Sequence, residues 1–199
     1  MPVTTGWPVT LTDSDVVLRP LTRRDGRAWR RLRADNAAWL DPWEATSPLA
    51  EAEQQPRFAQ LRRELARQGR SGRSIPLAIE YRGRLAGQVT VGGILWGSLR
   101  SGHVGYWVDR AVAGRGIAPL AVAMVADHCF GTVGLHRLEV NIRPENAASL
   151  RVVAKLGLRE EGLRRRYLHI DGAWRDHRSF AVTAEELPDG LRARLRQPT

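Results

Sequence analysis

A short glycine-punctuated segment, Ala113-Gly114-Arg115-Gly116, separates an alternating apolar stretch from an apolar helical pattern. A turn between a strand and a helix directs backbone N–H groups outward, and the helix dipole adds partial positive charge at the same point. Such a turn can bind a phosphate group, and an ordinary tight turn is the alternative interpretation. The segment lacks the Gly-Lys-Ser/Thr sequence of P-loop nucleotide triphosphatases and the glycine spacing of dinucleotide-binding turns. The sequence therefore argues against both of these nucleotide sites.

Two polar residues downstream share one face of a predicted helix. Asn146, Ser149 and Val153 stand at i, i+3 and i+7, the spacing that stacks side chains on a helix. Asn146 also suits the N-cap position, because its side chain can accept a hydrogen bond from a backbone N–H of the first turn. The Ser149 hydroxyl can donate a hydrogen bond to a substrate or support the helix start. Both interpretations stay open.

The other reactive side chains indicate no further chemistry. Cys129 is the single cysteine, which excludes an internal disulfide framework and a cysteine-rich zinc site. Its apolar surroundings favour a small core residue. The five histidines show no metal-ligand spacing. His177 and Tyr167 lie on predicted strands, where each can border a cleft or serve packing. We expect no metal.

The composition describes one basic domain. The chain has 199 residues, with 31 Lys+Arg against 21 Asp+Glu and a formal net charge of +10. The length allows one sizeable domain, and a hydrophobic fraction of 43% excludes a wholly disordered chain. The positive charge favours an anionic partner without choosing among nucleic acid, a phosphorylated ligand and a membrane surface.

The termini and apolar stretches predict a location in the cytoplasm. Residues 1–15 lack a basic segment followed by an apolar run, so we expect no signal peptide. The longest apolar stretch, residues 116–130, is too short and too polar to span a bilayer. A single cysteine is consistent with a reducing compartment.

Hydrophobic periodicity predicts an α/β domain in which helices flank a mixed sheet. Arg82-Gly83 and Asp171-Gly172 are two-residue turn signals between strands. We divide the chain into an irregular arm (1–15), a domain (16–184) and an Arg-rich tail (185–199). The predicted strands are residues 16–20, 75–81, 85–96, 101–109, 135–142, 163–170 and 173–182, and the predicted helices are residues 22–39, 51–68, 117–130 and 146–156.

Three motifs together resemble the GNAT (GCN5-related N-acetyltransferase) superfamily: residues 113–118, residues 139–149 and Lys155-Leu156-Gly157-Leu158. Within it, the pattern is similar to the RimJ/RimL-type enzymes that acetylate N-terminal alanine or serine of ribosomal proteins. The resemblance is strong over residues 105–182 and extends to Val16. Ala113 departs from it, since the family usually has Gln or Arg there. Main-chain amides bind most of the pyrophosphate, so binding does not require that side chain.

The resemblance implies a GNAT fold, which has one mixed, mostly antiparallel sheet of about seven strands. Its fourth and fifth strands, here residues 101–109 and 135–142, would splay, and the fourth would carry a bulge. Acetyl-CoA would be the acyl donor, with its thioester carbonyl polarised by the Val108 N–H. The residues expected to bind it are Trp107, Val108, Gly114, Arg115, Gly116, Ile117, Ala118, Asn141, Asn146 and Ser149.

The resemblance also implies catalytic roles. Ser149 would donate a hydrogen bond to the departing thiolate, whose thiol has an ordinary pKa of about 8.5. An α-ammonium group has a pKa of about 8, so a modest base suffices to deprotonate it. Glu161 matches the position of that base in the family. The adjacent Glu160 leaves the assignment open by one residue, and Glu139 is the reserve.

We therefore expect direct acetyl transfer to a primary amine, most simply the N-terminal amine of a ribosomal protein. Acetylation of a small amine, such as an antibiotic, a polyamine or an amino acid, is an alternative because fold does not fix substrate. A catalytically inactive CoA sensor or ribosome- or RNA-binding module is an alternative of another class. We also expect contact with the ribosome and a monomeric or homodimeric state.

Overall fold

The computed structural model describes residues 5–49 and 56–197. These residues form one sheet of eight strands in the order β1-β2-β3-β4-β5-β6-β8-β7. Neighbouring strands are antiparallel except β5 and β6, which are parallel. The predicted mixed, mostly antiparallel sheet is confirmed. The strands are β1 (Leu11–Asp13), β2 (Val16–Arg19), β3 (Ile75–Tyr81), β4 (Arg84–Leu95), β5 (Ser101–Val108), β6 (Arg137–Ile142), β7 (Arg159–Ile170) and β8 (Ala173–Thr183).

Helices cover both faces of the sheet. Because strand side chains alternate, Val104 and Trp107 of β5 point to opposite faces. Trp107 contacts Trp29 of the first helix with 5.4 Å between ring centroids, whereas Val104 belongs to the cluster around the fourth helix. The helices described are α1 (Gly26–Asp35), α2 (Ala37–Leu40), α3 (Phe58–Arg70), α4 (Ile117–His128), α5 (Ala147–Lys155) and α6 (Leu191–Arg196).

The core lies between the sheet and α4. Nine of the twelve residues of α4 are buried, because the helix is enclosed by the sheet and by α5 and α6. A helix buried on most sides is apolar on most sides, and this explains why its sequence is apolar rather than amphipathic. Beyond His128 the helix continues as a π-helical turn, Cys129–Val133. Among the described residues, no helix has the length and apolar content needed to cross a membrane.

Several sequence-based boundaries need correction. The predicted helix over residues 22–39 is divided at Asn36 into α1 and α2. The Asn36 side chain at this break donates a hydrogen bond to Asp109, beyond the end of β5. The second predicted helix begins only at Phe58, after Pro56, and residues 51–55 of that prediction lie outside the described residues. β7 begins at Arg159 rather than 163.

Both ends of the chain contain regular structure. The sequence predicts an irregular arm over residues 1–15, but Leu11–Asp13 pair with β2 and form an eighth strand. In the predicted tail, α6 packs on α4 with Leu191 fully buried. Arg196 bonds to Asp13 at 2.6 Å and thus joins the C-terminal helix to β1.

The splay between β5 and β6 is confirmed. The two strands pair only at Ser101↔Arg137, Gly102↔Leu138 and His103↔Glu139, and they separate beyond these residues. The bulge expected in β5 lies instead in β4, where the register with β5 shifts between Gly92 and Leu95. Parallel strands that separate leave main-chain groups of both strands without partners in the sheet.

Candidate active site

Two cavities meet where β5 and β6 separate. The larger has a volume of about 830 Å³ and runs along β5 to the start of α4 and the face of α5. The smaller, of about 320 Å³, lies between β6, β7 and β8. The described residues that line both cavities are Trp43, His103, Gly105, Tyr106, Asn146 and Ser149. Each cavity can therefore hold one of two molecules that meet at this junction.

The glycine turn before α4 is one end of the larger cavity. Gly114 and Gly116 have φ values of 81° and 78°, a conformation that L side chains rarely adopt. The first hydrogen bond of α4 runs from the Leu120 N–H to the Gly116 carbonyl. The N–H groups of Ile117 and Ala118 consequently have no partner within the helix, and no side chain of the described residues caps it. This helix start can bind an anion.

The end of β5 offers a further main-chain donor. The Asp109 N–H donates to the Ala86 carbonyl of the neighbouring strand at 2.7 Å. Because N–H directions alternate along a strand, the Val108 N–H points away from β4 and towards the gap. By the same alternation, the main-chain groups of Trp107 point to β4, and its ring packs against Trp29. Trp107 lines the cavity, but of these two residues it is Val108 that directs its N–H into the gap.

Asn146 and Ser149 stand together at the cavity junction. Asn146 is the N-cap of α5, and its side chain accepts a hydrogen bond from the Ser149 N–H at 3.0 Å. The Tyr106 hydroxyl lies 3.5 Å from the Ser149 carbonyl oxygen. Burial raises the pKa of Tyr106 to about 12, so the phenol stays protonated at neutral pH. The Tyr106 hydroxyl donates to the Ser149 carbonyl oxygen, and the Ser149 side chain is the other hydroxyl group at this junction.

Two basic residues on α5 also line the larger cavity, and the sequence reasoning did not single them out. Arg151 and Lys155 follow Ser149 along α5 and are spaced i, i+4, so they share one side of the helix. They place positive charge beside the same cavity as the glycine turn. The sequence does carry a signal for Lys155, since it belongs to the motif Lys155-Leu156-Gly157-Leu158 and is the only lysine of the chain.

A buried asparagine links the α1–α2 unit to β5. Asn36, which is 2% exposed, donates to Asp109 Oδ1 at 2.9 Å and accepts from the Arg110 N–H at 2.8 Å. The Trp39 indole N–H donates to the Val108 carbonyl at 3.3 Å. These contacts fix the helices over the end of β5. Nothing in the local sequence of Asn36 indicates a partner 73 residues away.

Polar and aromatic side chains border the smaller cavity. Tyr167 and His177 pack edge to face, with 5.5 Å between ring centroids, and His177 bonds to the Arg175 carbonyl. Burial lowers the pKa of His177. Asn141 lies here too, hydrogen-bonded to the Ser179 hydroxyl, and it does not border the larger cavity. Its predicted contact with the cofactor would therefore have to be made from the smaller cavity.

The structure separates Glu161 from the junction, so the role of base predicted for it does not fit its placement. Glu161 is the extra residue of a bulge in β7, between Glu160 and Gly162. It lines neither cavity and is bound by Arg137 and Arg159. The hydrogen bond from Arg137 is the largest cause that lowers the pKa of Glu161 to about 2.

Three further residues that the sequence singles out are Arg115, Glu139 and Cys129. Each of them is exposed away from both cavities, paired with arginine, or buried in the core. The Arg115 side chain is exposed and borders neither cavity, although its backbone belongs to the glycine turn. The reserve base, Glu139, is paired with Arg137 at 2.9 Å and with Arg164 at 2.5 Å. Cys129 is fully buried, and burial raises the pKa of its thiol to about 12, in agreement with a core residue. No cluster of metal-ligating side chains is found within the described residues.

Comparison with known protein families shows the family of this chain. The family model described as "Acetyltransferase (GNAT) domain" matches residues 15–159, which include the glycine turn, the separated strands and α5. The chain belongs to the GNAT acetyltransferases.

Individual relatives of this acetyltransferase agree with the family. The Escherichia coli [ribosomal protein uS5]-alanine N-acetyltransferase is 30% identical over 187 residues, which cover 92% of this chain and 94% of that protein. The structure of Mycobacterium smegmatis RimJ in complex with CoA-disulfide is similar with a TM-score of 0.89 and 43% identity, covering 96% of this chain and 94% of that one. Bacillus subtilis YjcK, described as a probable N-acetyltransferase, is 39% identical over 99 residues, which are 50% of this chain and 55% of that protein.

Proposed function

We propose that this acetyltransferase transfers the acetyl group of acetyl-CoA directly to the N-terminal α-amine of a protein. The observation that carries the proposal is the junction of two cavities where β5 and β6 separate. An amine that enters one cavity can reach a thioester that lies in the other without a covalent enzyme intermediate. The buried, protonated thiol of Cys129 is unsuited to carry an acyl group, which agrees with direct transfer.

The larger cavity suits the donor. The free N–H groups of Ile117 and Ala118 would bind the pyrophosphate, and Arg151 and Lys155 would face the other phosphate charge of the coenzyme. The pantetheine arm would lie in the gap and bond to main-chain groups of β5 in place of β6. The bound coenzyme in the Mycobacterium smegmatis relative supports this choice of donor.

The reacting end of the donor would lie beside Val108 and Ser149. The Val108 N–H would stabilise negative charge on the thioester oxygen, an effect worth about 3 kcal/mol for one well-placed donor. The Ser149 hydroxyl would donate a hydrogen bond to the thiolate as the C–S bond breaks. Because a thiolate is a good leaving group, these two contacts are sufficient for its departure.

The smaller cavity suits a peptide amine with a small first side chain. A Cβ placed on Gly105 at the junction would meet no atom within 4 Å, so there is free space above the strand. Trp43 and Tyr167 provide aromatic walls around it. The Escherichia coli relative, named as an alanine N-acetyltransferase of ribosomal protein uS5, supports this acceptor class. Contact with the ribosome, the oligomeric state and a cytoplasmic location stay predictions.

The test is an acetyl-transfer assay over acceptors of different classes. Peptides beginning with Ala or Ser are compared with the same peptides blocked at the N-terminus and carrying an internal lysine, with free alanine and with an aminoglycoside. We expect acetylation of the free N-terminal amines, located by tandem mass spectrometry, and none on the blocked peptides. Preference for a small amine would contradict the protein acceptor. Binding of acetyl-CoA without thiol release from any acceptor would contradict the enzyme assignment.

A further inference from the structure

Among the described residues, the cavity junction holds one side chain that can accept a proton near neutral pH. Of the six described residues that line both cavities, His103 and Tyr106 are the ionisable ones, and the Tyr106 phenol keeps its proton at neutral pH. We propose that His103 accepts the proton that the acceptor ammonium must lose before it attacks the thioester. This inference rests on the proposed function, and it is an alternative to the role of base predicted for Glu161.

The His103 ring occupies space left by two glycines. His103 is paired in register with Gly92 on β4 and with Glu139 on β6, at the point where β5 and β6 begin to separate. A Cβ on Gly93 would lie 2.6 Å from Cε1 and 2.7 Å from Nδ1 of His103, and a Cβ on Gly92 would lie 3.2 Å from Nε2. Any larger residue at Gly93 would displace the ring. The bulge of β4 therefore positions the imidazole beside the junction.

The surroundings keep His103 neutral. Burial lowers the pKa of His103, and the Arg164 charge on β7 acts in the same direction, whereas Glu139 on β6 opposes both. Glu139 is itself bound by Arg137 and Arg164. The adjoining residues of β4, Gly92 and Gly93, have no ionisable group. At neutral pH the ring is therefore ready to accept a proton, and neither of its nitrogens bonds to another described residue.

The carboxylates that line the larger cavity are less suited to this role. Glu44 is bound through both oxygens by the Arg33 guanidinium, with 2.5 Å between Nη2 and Oε2. Glu145 bonds to Arg143 at 3.2 Å and lies on the exposed rim, with 63% of its side chain accessible. An arginine partner stabilises the ionised carboxylate and weakens it as a base.

The proposed proton transfers balance over the reaction. The ammonium group loses one proton to His103, and the free amine then attacks the thioester carbon with its lone pair. As the C–S bond breaks, the second nitrogen proton of the intermediate passes to the thiolate through the Ser149 hydroxyl, which gives the amide and coenzyme A. His103 returns its proton to solvent through the open cavity. One proton is released per turnover.

The experiment measures kcat/KM of His103→Gln against pH between 6 and 9.5 with an N-terminal alanine peptide. At pH 7 we expect a loss of about 10-fold, because with an amine pKa of about 8 only about one acceptor in ten is already deprotonated at that pH. The loss should shrink as pH rises through the pKa of the amine, about 8, because more acceptor is then already deprotonated. The affinity for acetyl-CoA should stay within about twofold of wild type, since His103 serves the acceptor.

His136→Gln is the matched control, because His136 is a surface histidine paired with Glu185 at 3.1 Å and lines neither cavity. Its pH profile should equal that of wild type. A His103→Gln loss that is constant across the pH range, or a comparable loss of acetyl-CoA binding, would overturn the proposal. If His103→Gln does not fold, His103→Ala is measured instead, since it adds no atom over Gly92 and Gly93. A wild-type enzyme that acetylates no peptide would contradict the proposed function rather than the role of His103.

Discussion

At the scale of single residues, the site depends on hydrogen-bond donors at one junction. The Val108 N–H points into the gap between β5 and β6, and Ser149 lines both cavities through the helix that Asn146 caps. Oriented donors act on charge that develops during the reaction, and they need no rearrangement at that moment. Removal of one donor should therefore affect turnover more than binding.

Ser149→Ala tests this difference. We expect kcat to fall by about 100-fold, because the thiolate loses its hydrogen bond as it departs. The dissociation constant of acetyl-CoA, measured by calorimetry, should change by less than about threefold, and α5 should persist because Asn146 still caps it through the backbone of residue 149. Equal losses in kcat and in affinity would identify Ser149 as a binding residue only.

Lys155→Ala tests whether the positive charge of Lys155 faces the 3′-phosphate of acetyl-CoA. We expect the KM for acetyl-CoA to rise about tenfold, which corresponds to about 1.4 kcal/mol. The KM for acetyl-3′-dephospho-CoA should be the same in both enzymes, because that donor lacks the phosphate. Arg63→Ala, which removes an exposed arginine of α3 outside both cavities, is the control. An equal effect of Lys155→Ala on both donors would show that the lysine does not face the 3′-phosphate.

The sequence predicted some of these residues and missed others for physical reasons. The glycine turn and the Asn146–Ser149 pair are local, so their spacing along the chain already places them. The placement of Glu161 could not be predicted, because it depends on a bulge in β7 and on Arg137, 24 residues away in sequence. His103 was missed because the space for its ring comes from glycines of the neighbouring strand.

At the scale of elements, the site depends on two strands that begin together and then separate. β5 and β6 pair over three residues, and α4 and α5 follow the ends of β5 and β6 at which the two strands have separated. Asn36 holds α1 and α2 to the end of β5 through Asp109 and Arg110. The helix starts, the gap and the acceptor side are thus fixed relative to one another.

Gly116→Ala tests the turn as an element. An alanine at φ 78° costs about 1–2 kcal/mol, so the free energy of unfolding should fall by that amount. Its Cβ would meet no protein atom within 4 Å and would project into the anion site, so the KM for acetyl-CoA should rise at least tenfold. Gly131→Ala, which also adds a Cβ in open space but without a positive φ, should leave KM unchanged. An unchanged KM in Gly116→Ala would contradict pyrophosphate binding at this turn.

The elements that periodicity predicted well are those with local patterns. α5 is found within one residue of its predicted bounds, and both two-residue turns have positive φ at Arg82-Gly83 and Asp171-Gly172. α1 and α2 could not be separated by pattern, because the Asn36 side chain at the break bonds to Asp109 and Arg110, more than 70 residues further along the chain. β1 is three residues long and exists through pairing with β2, so its own sequence carries too little signal.

At the scale of the whole molecule, many arginines are engaged in ion pairs between elements. Arg19 binds Asp25 at 2.9 Å, and Asp13, with only 6% of its side chain exposed, binds Arg196 at 2.6 Å. Arg192 binds Asp127 of α4 at 2.8 Å. Part of the arginine content therefore pairs with carboxylates and joins β1 and α6 to the rest of the domain, whereas the net charge of +10 remains after all such pairing.

The ion pairs between arginines and carboxylates lead us to expect a lower free energy of unfolding in acid. Burial of Asp25 acts to raise its pKa, but hydrogen bonds from Arg19 and Thr22 outweigh it and hold the pKa below 3.8, while Arg137 lowers that of Glu161 to about 2. A carboxylate whose pKa is lower in the folded than in the unfolded state contributes its full stabilisation of the fold above the unfolded pKa. That contribution is lost as pH falls through the folded pKa. Urea denaturation should show a falling free energy of unfolding from about pH 4.5 to pH 2.

Asp25→Asn provides the comparison for this pH dependence, because it removes one of the depressed carboxylates. The variant should be less stable than wild type at pH 7, and the difference between the two should narrow as pH approaches 2. A wild-type stability that does not change between pH 4.5 and pH 2, or a constant difference between the two proteins, would contradict the stabilising role of these ion pairs.

The central claim is that donor and acceptor meet across the gap between β5 and β6 and react directly. Initial velocities measured over a matrix of acetyl-CoA and N-terminal alanine peptide concentrations test it. Direct transfer in a ternary complex predicts intersecting double-reciprocal lines, and an unchanged intact protein mass after incubation with acetyl-CoA alone. Parallel lines together with an acetylated enzyme would contradict it, because they would show that the acetyl group passes through a covalent intermediate.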